Sequence, residues 1–511
     1  MTDPERPAVP YDSRIAGSEL EPDEPEVQPQ VRPRRTARGF ALAGARVAAG
    51  AIGVGIAVFA ILIAALAPIP SVDSTPVSLT VTPVPTAQQL VCGGSLLRLG
   101  NTSGEDATIA TTLGIPTVRY DSTAGKATRR GLEKSSGSPA VISVTPDADA
   151  TGTALVAGAQ SQVLRSSDFS GLAAVDCSAA RADTWLVGGS TTLGRTTLIT
   201  LANPSDVAST VALQFFGDTG RISAPGSTGI VVPAGGQRVL SLAGFAPEQA
   251  SPVVHVTSKG GQVVARLQQS ISRGLEPGGV DITGATAAPA TSVIIPGFVV
   301  TGSAAVESRL GREGYSDLRT VLRVFVPGKK STNVTLTVTP ENKKGTGASV
   351  EVLLKAGEVN DVPIEGLDDG HYTATVDSDL PIVAGLRLST AASSRLGVGT
   401  TDFAWMAAAE PIDRESVFSV ATGPRAELHL ANPNPTVSVV TLTGPSGTEL
   451  VTKVFGGTAK TLELPTGNTF TIDTTSSIAA TITYYGGGQF AGYPVREPQG
   501  TSGPITIYPQ G

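Results

Sequence analysis

Cysteine, histidine and positive charge are all scarce in this sequence. Two Cys and three His among 511 residues are too few for a Cys-rich zinc site, and His255, His371 and His429 lie far apart in the chain. Lys and Arg number 37 against 44 Asp and Glu, a formal net charge of −7. That is not the balance of a nucleic-acid binder, which needs a basic face for phosphate. The hydrolase signatures Gly-x-Ser-x-Gly, Ser-x-x-Lys and His-Glu-x-x-His are missing from the sequence. Asp147-Ala148-Asp149-Ala150-Thr151-Gly152 begins like a calcium loop, but Gly158 stands where a bidentate Glu is needed, so it reads as a turn. No catalytic, cofactor-binding or metal-binding residue is assigned, and the chain is read as non-enzymatic.

Long apolar runs are also rare, with one exception. Val47 to Ala67 carries no charge for twenty-one residues and follows Arg32, Arg34, Arg35, Arg38 and Arg46. A helix of that length reaches about 31 Å, enough to cross a bilayer core of about 30 Å, and the arginines place the preceding side in the cytoplasm. A cleaved signal peptide is the competing reading, but the run is long and Pro68 follows the small-x-small site. Residues 1–46, with eight acidic side chains and six prolines in the first thirty positions, read as a disordered cytoplasmic tail. Residues 47–67 are then a transmembrane helix and 68–88 a Pro-rich stalk. On this topology Cys92 and Cys177, 85 residues apart, are exported and pair as a disulfide. By loop entropy that bond contributes about 4 to 5 kcal/mol.

What is abundant is Gly, 59 residues, and Pro, 37, the signature of turn-rich β structure. A strand that ends at a turn recurs at Asn101, Asn203, Val326 and Asn432, at intervals of 102, 123 and 106 residues, the size of one β-sandwich. The fold class is therefore mainly β, with about four tandem immunoglobulin- or fibronectin-like units over 89–184, 185–292, 293–412 and 413–511. Their spacing leaves open whether they form a straight rod or fold back into a bundle. Arg309 to Arg319 reads as a long surface loop.

Against an aromatic content of only 5%, Tyr484, Tyr485, Phe490, Tyr493 and Tyr508 form a cluster near the C-terminus. Tyr484, Tyr485, Phe490 and Tyr493 are the candidate binding surface, since ring faces stack on sugars or anchor a protein partner. The alternative for the same residues is packing within the last unit.

The stretch from Cys177 through Trp185-Leu186-Val187-Gly188-Gly189-Ser190, Gly194-Arg195 and Leu201-Ala202-Asn203-Pro204 resembles a family of uncharacterised actinobacterial envelope proteins, known as a domain of unknown function. The resemblance spans most of residues 90–511. It implies an N-terminal single-pass anchor, an extracytoplasmic β-rich region and a role near a membrane glycosyltransferase of the cell envelope, and it brings no catalytic residues. The expectation is a membrane-anchored scaffold or binding protein of the envelope, with a protein or glycan partner. A wall-glycan-binding module and, behind it, a wall-glycan hydrolase are the alternatives.

Overall fold

The computed structural model describes residues 50–59, 62, 79–81, 88–100, 109–145, 154–341, 347–392, 400–498 and 505–507. The tail 1–46, most of the stalk and the Asp147 turn lie outside them. Residues 50–59 are helical, with Ile52, Val54, Ile56 and Phe59 exposed. Ten helical residues reach about 15 Å, half a bilayer core, and among the described residues no helix is long and apolar enough to cross a membrane. The rest of the expected span lies outside the described residues.

Residues 79–507 form a compact, mainly β body of several antiparallel sheets. The strands fall into four successive groups. In the second, the strands Asp183–Val187, Val253–Gly260 and Ser209–Gly217 form one sheet, and Gly236–Ser241, Arg195–Asn203, Val264–Arg273 and Glu276–Thr283 the other. Inward residues of both sheets, among them Leu186, Ile199, Leu213, Val254 and Leu267, share one core. The fourth group, Ser416–Ser419 to Gln489–Pro494, repeats this pairing around Leu428, Leu442, Ile472 and Ile482. In the third, one strand of 22 residues, Gly370–Ala391, serves both sheets. The first group is smaller: two three-stranded sheets and a hairpin around the Cys92–Cys177 disulfide, whose formation matches the expectation.

The recurring Asn has a physical role beyond starting a turn. Asn203 and Asn432 are buried where the chain crosses from one sheet to the other. Each amide donates to two backbone oxygens, Val207 and Val232 or Thr436 and Val454, while its Oδ1 accepts the N–H of Ser205 or Asn434. This satisfies backbone groups that the crossing would otherwise leave bare.

Four inner strands, one from each group, meet in cyclic order: Ser170–Asp176, Glu276–Thr283, Thr401–Ala407 and Gln489–Pro494. Each neighbouring pair of groups also has an apolar seam. Val91 and Leu132 meet Ala202 and Val264; Trp185 and Val253 meet Phe325 and Val383; Ala409 meets Ala431 and Ala479; Val417 meets Leu155 and Ala157. The fourth seam returns to the first group, so the body is a closed ring rather than a rod. Arg309 to Arg319 is only in part a surface loop: the helix Ser303–Leu310 ends in it, the 3-10 turn Ser316–Leu318 lies within it, and Arg309 is buried with its guanidinium donating to the Ala392 carbonyl. Strands Leu79–Val81 and Ile505–Ile507 pair antiparallel and clasp the two ends of the body.

Candidate functional site: hub and axial bowl

Where the inner strands begin, their ends surround a bowl of about 970 Å³. Ser170 and Gly171 come from the first group, Pro277 from the second, Thr400 from the third and Gln489 from the fourth. Directly below lies Asp402, fully buried. Its Oδ2 accepts the N–H groups of Leu172 (2.8 Å) and Phe490 (3.2 Å), and its Oδ1 that of Val280 (3.3 Å). One carboxylate thus ties its own strand to the other three groups. Burial pushes the Asp402 carboxyl well above the ordinary range, and the backbone donors oppose that push. Gly171 (φ +147°) and Gly279 (φ +121°) make room for it, since a Cβ at either would stand within 3 Å of Asp402 Oδ1.

Next along the hub, Asp281 Oδ2 accepts the Trp405 N–H (2.8 Å), and burial raises its carboxyl to about 7. The Trp405 indole donates to Gln269 Oε1 (2.7 Å) and lies under the Arg323 guanidinium, 4.4 Å from the ring centre. Arg323, fully buried, pairs with Asp361 (2.8 Å) and donates to the carbonyls of Gly189, Pro252 and Ala250, stitching the second group to the third. Asp361 would be raised by burial, but Arg323 holds it below the ordinary range.

The bowl wall is basic. Arg165 and Arg425 line it, and among the described residues none of its lining is Asp or Glu, although the whole chain is acidic. Arg425 has φ +27°, a left-handed conformation that is costly for a residue with a Cβ. Glu427 grips its Nε at 3.1 Å, and its guanidinium lies 5.2 Å over the ring of Tyr485, another lining residue. Tyr485 Oη donates to Glu427 Oε1 (3.0 Å), and burial followed by that carboxylate pushes the phenol up. Behind Glu427 stands His371, 3.2 Å away, and beyond it His429. Two of the three histidines therefore meet across the seam between the third and fourth groups, which their sequence separation gave no reason to expect.

His429 Nδ1 faces Glu341 Oε2 (2.5 Å) and its Nε2 faces Thr483 Oγ1 (2.8 Å). Acid, imidazole and hydroxyl stand in the order of a hydrolytic triad, but all three side chains are buried away from solvent. Burial would raise Glu341, yet His429 and the hydroxyls of Thr461 and Thr373 hold it below the ordinary range. These groups satisfy one another across the seam. Among the described residues no group of three or more His, Cys, Asp or Glu is arranged to hold a metal ion.

The aromatic cluster divides. Tyr484, Phe490 and Tyr493 are 0%, 1% and 3% exposed, and they form no binding face. Both sides of their hairpin are covered: Tyr484 and Tyr493 point into the fourth core, and Phe490 into the third. Only Tyr485 reaches the bowl; Tyr508 lies outside the described residues. A second recess, of about 70 Å³, adjoins the opposite ends of the inner strands and has room for a few waters rather than a sugar. Its charges are all paired, Arg496 with Asp176 inside it and Arg181 and Glu497 with Glu410 and Arg414 beside it.

Comparison with known proteins adds a family. Residues 132–474, more than half of the chain, match the model of DUF5719, a family of unknown function. The chain belongs to DUF5719. The matched span includes Arg165, Asp402 and Arg425 and ends before Tyr485. No curated protein matches the DUF5719 chain.

Proposed function

We propose that this DUF5719 protein is a non-enzymatic, single-pass protein of an actinobacterial cell envelope that scaffolds or binds another envelope component. In this reading 1–46 is cytoplasmic, 47–67 crosses the membrane, and 89–184, 185–292, 293–412 and 413–511 are four sandwich-like extracytoplasmic units. The observation that carries it is the closed ring with an open polar bowl on its axis: such a body presents a preformed surface instead of a mobile chain. The disulfide supports an oxidising compartment, and the exposed apolar helix 50–59 supports burial in lipid. A membrane glycosyltransferase of the envelope is the partner class implied by the family resemblance. Cross-linking in intact cells through a C-terminal tag tests the reading. Recovery of one specific envelope enzyme or glycan supports it; a C-terminal region shielded inside the cytoplasm, or a purified chain that turns over an envelope polymer, overturns it.

A further inference from the structure

We infer that the axial bowl is a binding site for an anionic saccharide, a hydroxyl-rich ligand carrying a carboxylate or a phosphate. The inference rests on the bowl and deepens the binding role proposed above.

Three independent features converge on that chemistry. The first is charge. Among the described residues, two guanidinium groups and no carboxylate line a recess in a chain of net charge −7. Among the described residues the Arg165 side chain has no hydrogen-bond or ion-pair partner, and Arg425 pairs with a carboxylate through its Nε alone, so its two terminal nitrogens face no acceptor there. A planar fork with free terminal donors matches a carboxylate or phosphate edge. The second is preorganisation. Arg425 holds a strained backbone while Glu427 and the Tyr485 ring fix its head at the rim, so little side-chain freedom remains to be lost on binding. The third is the remainder of the wall. The hydroxyls of Ser170, Thr301, Thr400 and Tyr485 and the amide of Gln489 offer donors and acceptors to sugar hydroxyls. The Gly487–Gly488 turn, with φ +62° and +76°, keeps one side of the mouth free of side chains. At about 970 Å³ the bowl admits several sugar rings rather than a bare ion.

The test uses the full chain in detergent, titrated calorimetrically with trigalacturonic acid, its neutral methyl ester, glucose 1-phosphate and inorganic phosphate. Saturable binding of either anionic sugar, at least tenfold tighter than the neutral ester and inorganic phosphate and weakened by added salt, is the expected result. Which anionic sugar binds tells a carboxylated ligand from a phosphorylated one. Arg165→Ala and Arg425→Gly should each weaken that binding about tenfold. Among the described residues the Arg165 side chain has no partner to lose, and glycine relieves the φ of Arg425, so both variants should melt close to the wild-type temperature. Failure of both anionic sugars to bind, equal binding of inorganic phosphate, or affinity unchanged in both variants overturns the inference. A chain that binds these probes but proves not to face the envelope overturns the topology alone.

Discussion

At the hub, Asp402 and Asp281 are buried with backbone amides as their partners, whereas the acids at contacts between groups, Asp361, Glu341 and Glu410, each face Arg or His. The two kinds of burial shift acidity in opposite directions. Desolvation raises both hub acids; along the seams, burial acts the same way but the cationic partner wins and the carboxyls end below their ordinary values. Amide donors orient a carboxylate and link strands without neutralising it, while a guanidinium or imidazole compensates its charge. The ring is therefore locked at its hub strands by backbone amides and at its seams by charge.

Removing the central lock should have the largest effect. Asp402→Ala orphans amides of three other groups, each worth about 1–3 kcal/mol, and should destabilise the protein by about 4 kcal/mol or more. Denaturant unfolding should also lose its single transition if the groups come apart; an unchanged midpoint would show that the seams alone close the ring. Asp402→Asn should fall between, because it keeps one acceptor but turns an NH₂ toward N–H donors.

The sign of the pH dependence separates hub from seam. Asp281 has its folded value raised from 3.8 to about 7, so the folded state holds the extra proton between those limits and stability falls as pH rises from about 4 to 7. For the full shift this amounts to about 4 kcal/mol. Asp281→Asn should flatten that slope in thermal melts across this range. A seam acid acts oppositely. Glu341 has a depressed value, so its contribution is present above about 4.5 and is lost as pH falls through the folded value. Glu341→Gln should cost about 2 kcal/mol at neutral pH and less in acid, where wild type has already lost the pair. A melt difference that persists unchanged at low pH would refute the seam assignment. The smallest effect belongs to the rim: Arg425→Gly should change stability by no more than about 1 kcal/mol, with relief of backbone strain offsetting the lost Glu427 contact.

Local elements were legible in the sequence. Alternation in Thr210 to Phe216 and Val437 to Leu442 marks strands that the structure places at Ser209–Gly217 and Ser438–Thr443, and the Cys pair forms. Closure was not legible, because the strands that make it carry little pattern. Glu276–Thr283 opens with Pro277, Gly278 and Gly279, residue types that strands disfavour, yet Gly279 is part of what lets Asp402 approach. Asp402 and Arg323 read as ordinary polar positions within apolar strands; their burial depends on partners some 40 to 230 residues away. The aromatic cluster misled for a related reason. Tyr484 and Tyr493 lie on the hairpin face that packs in their own core, and the opposite face, which carries Phe490, is covered by the third group. The basic bowl had no linear signal at all, since Arg165, Arg425 and Tyr485 meet only after the ring has closed.

The clasp between Leu79–Val81 and Ile505–Ile507 has a mechanical consequence. Leu79 pairs with Ile507 and Val81 with Ile505, so both chain ends leave from the same end of the ladder. Tension between residue 78 and residue 508 would peel this short ladder open one rung at a time instead of shearing it along its length. Under load the clasp should yield first and pay out slack at low force, leaving the hub and the four seams undisturbed.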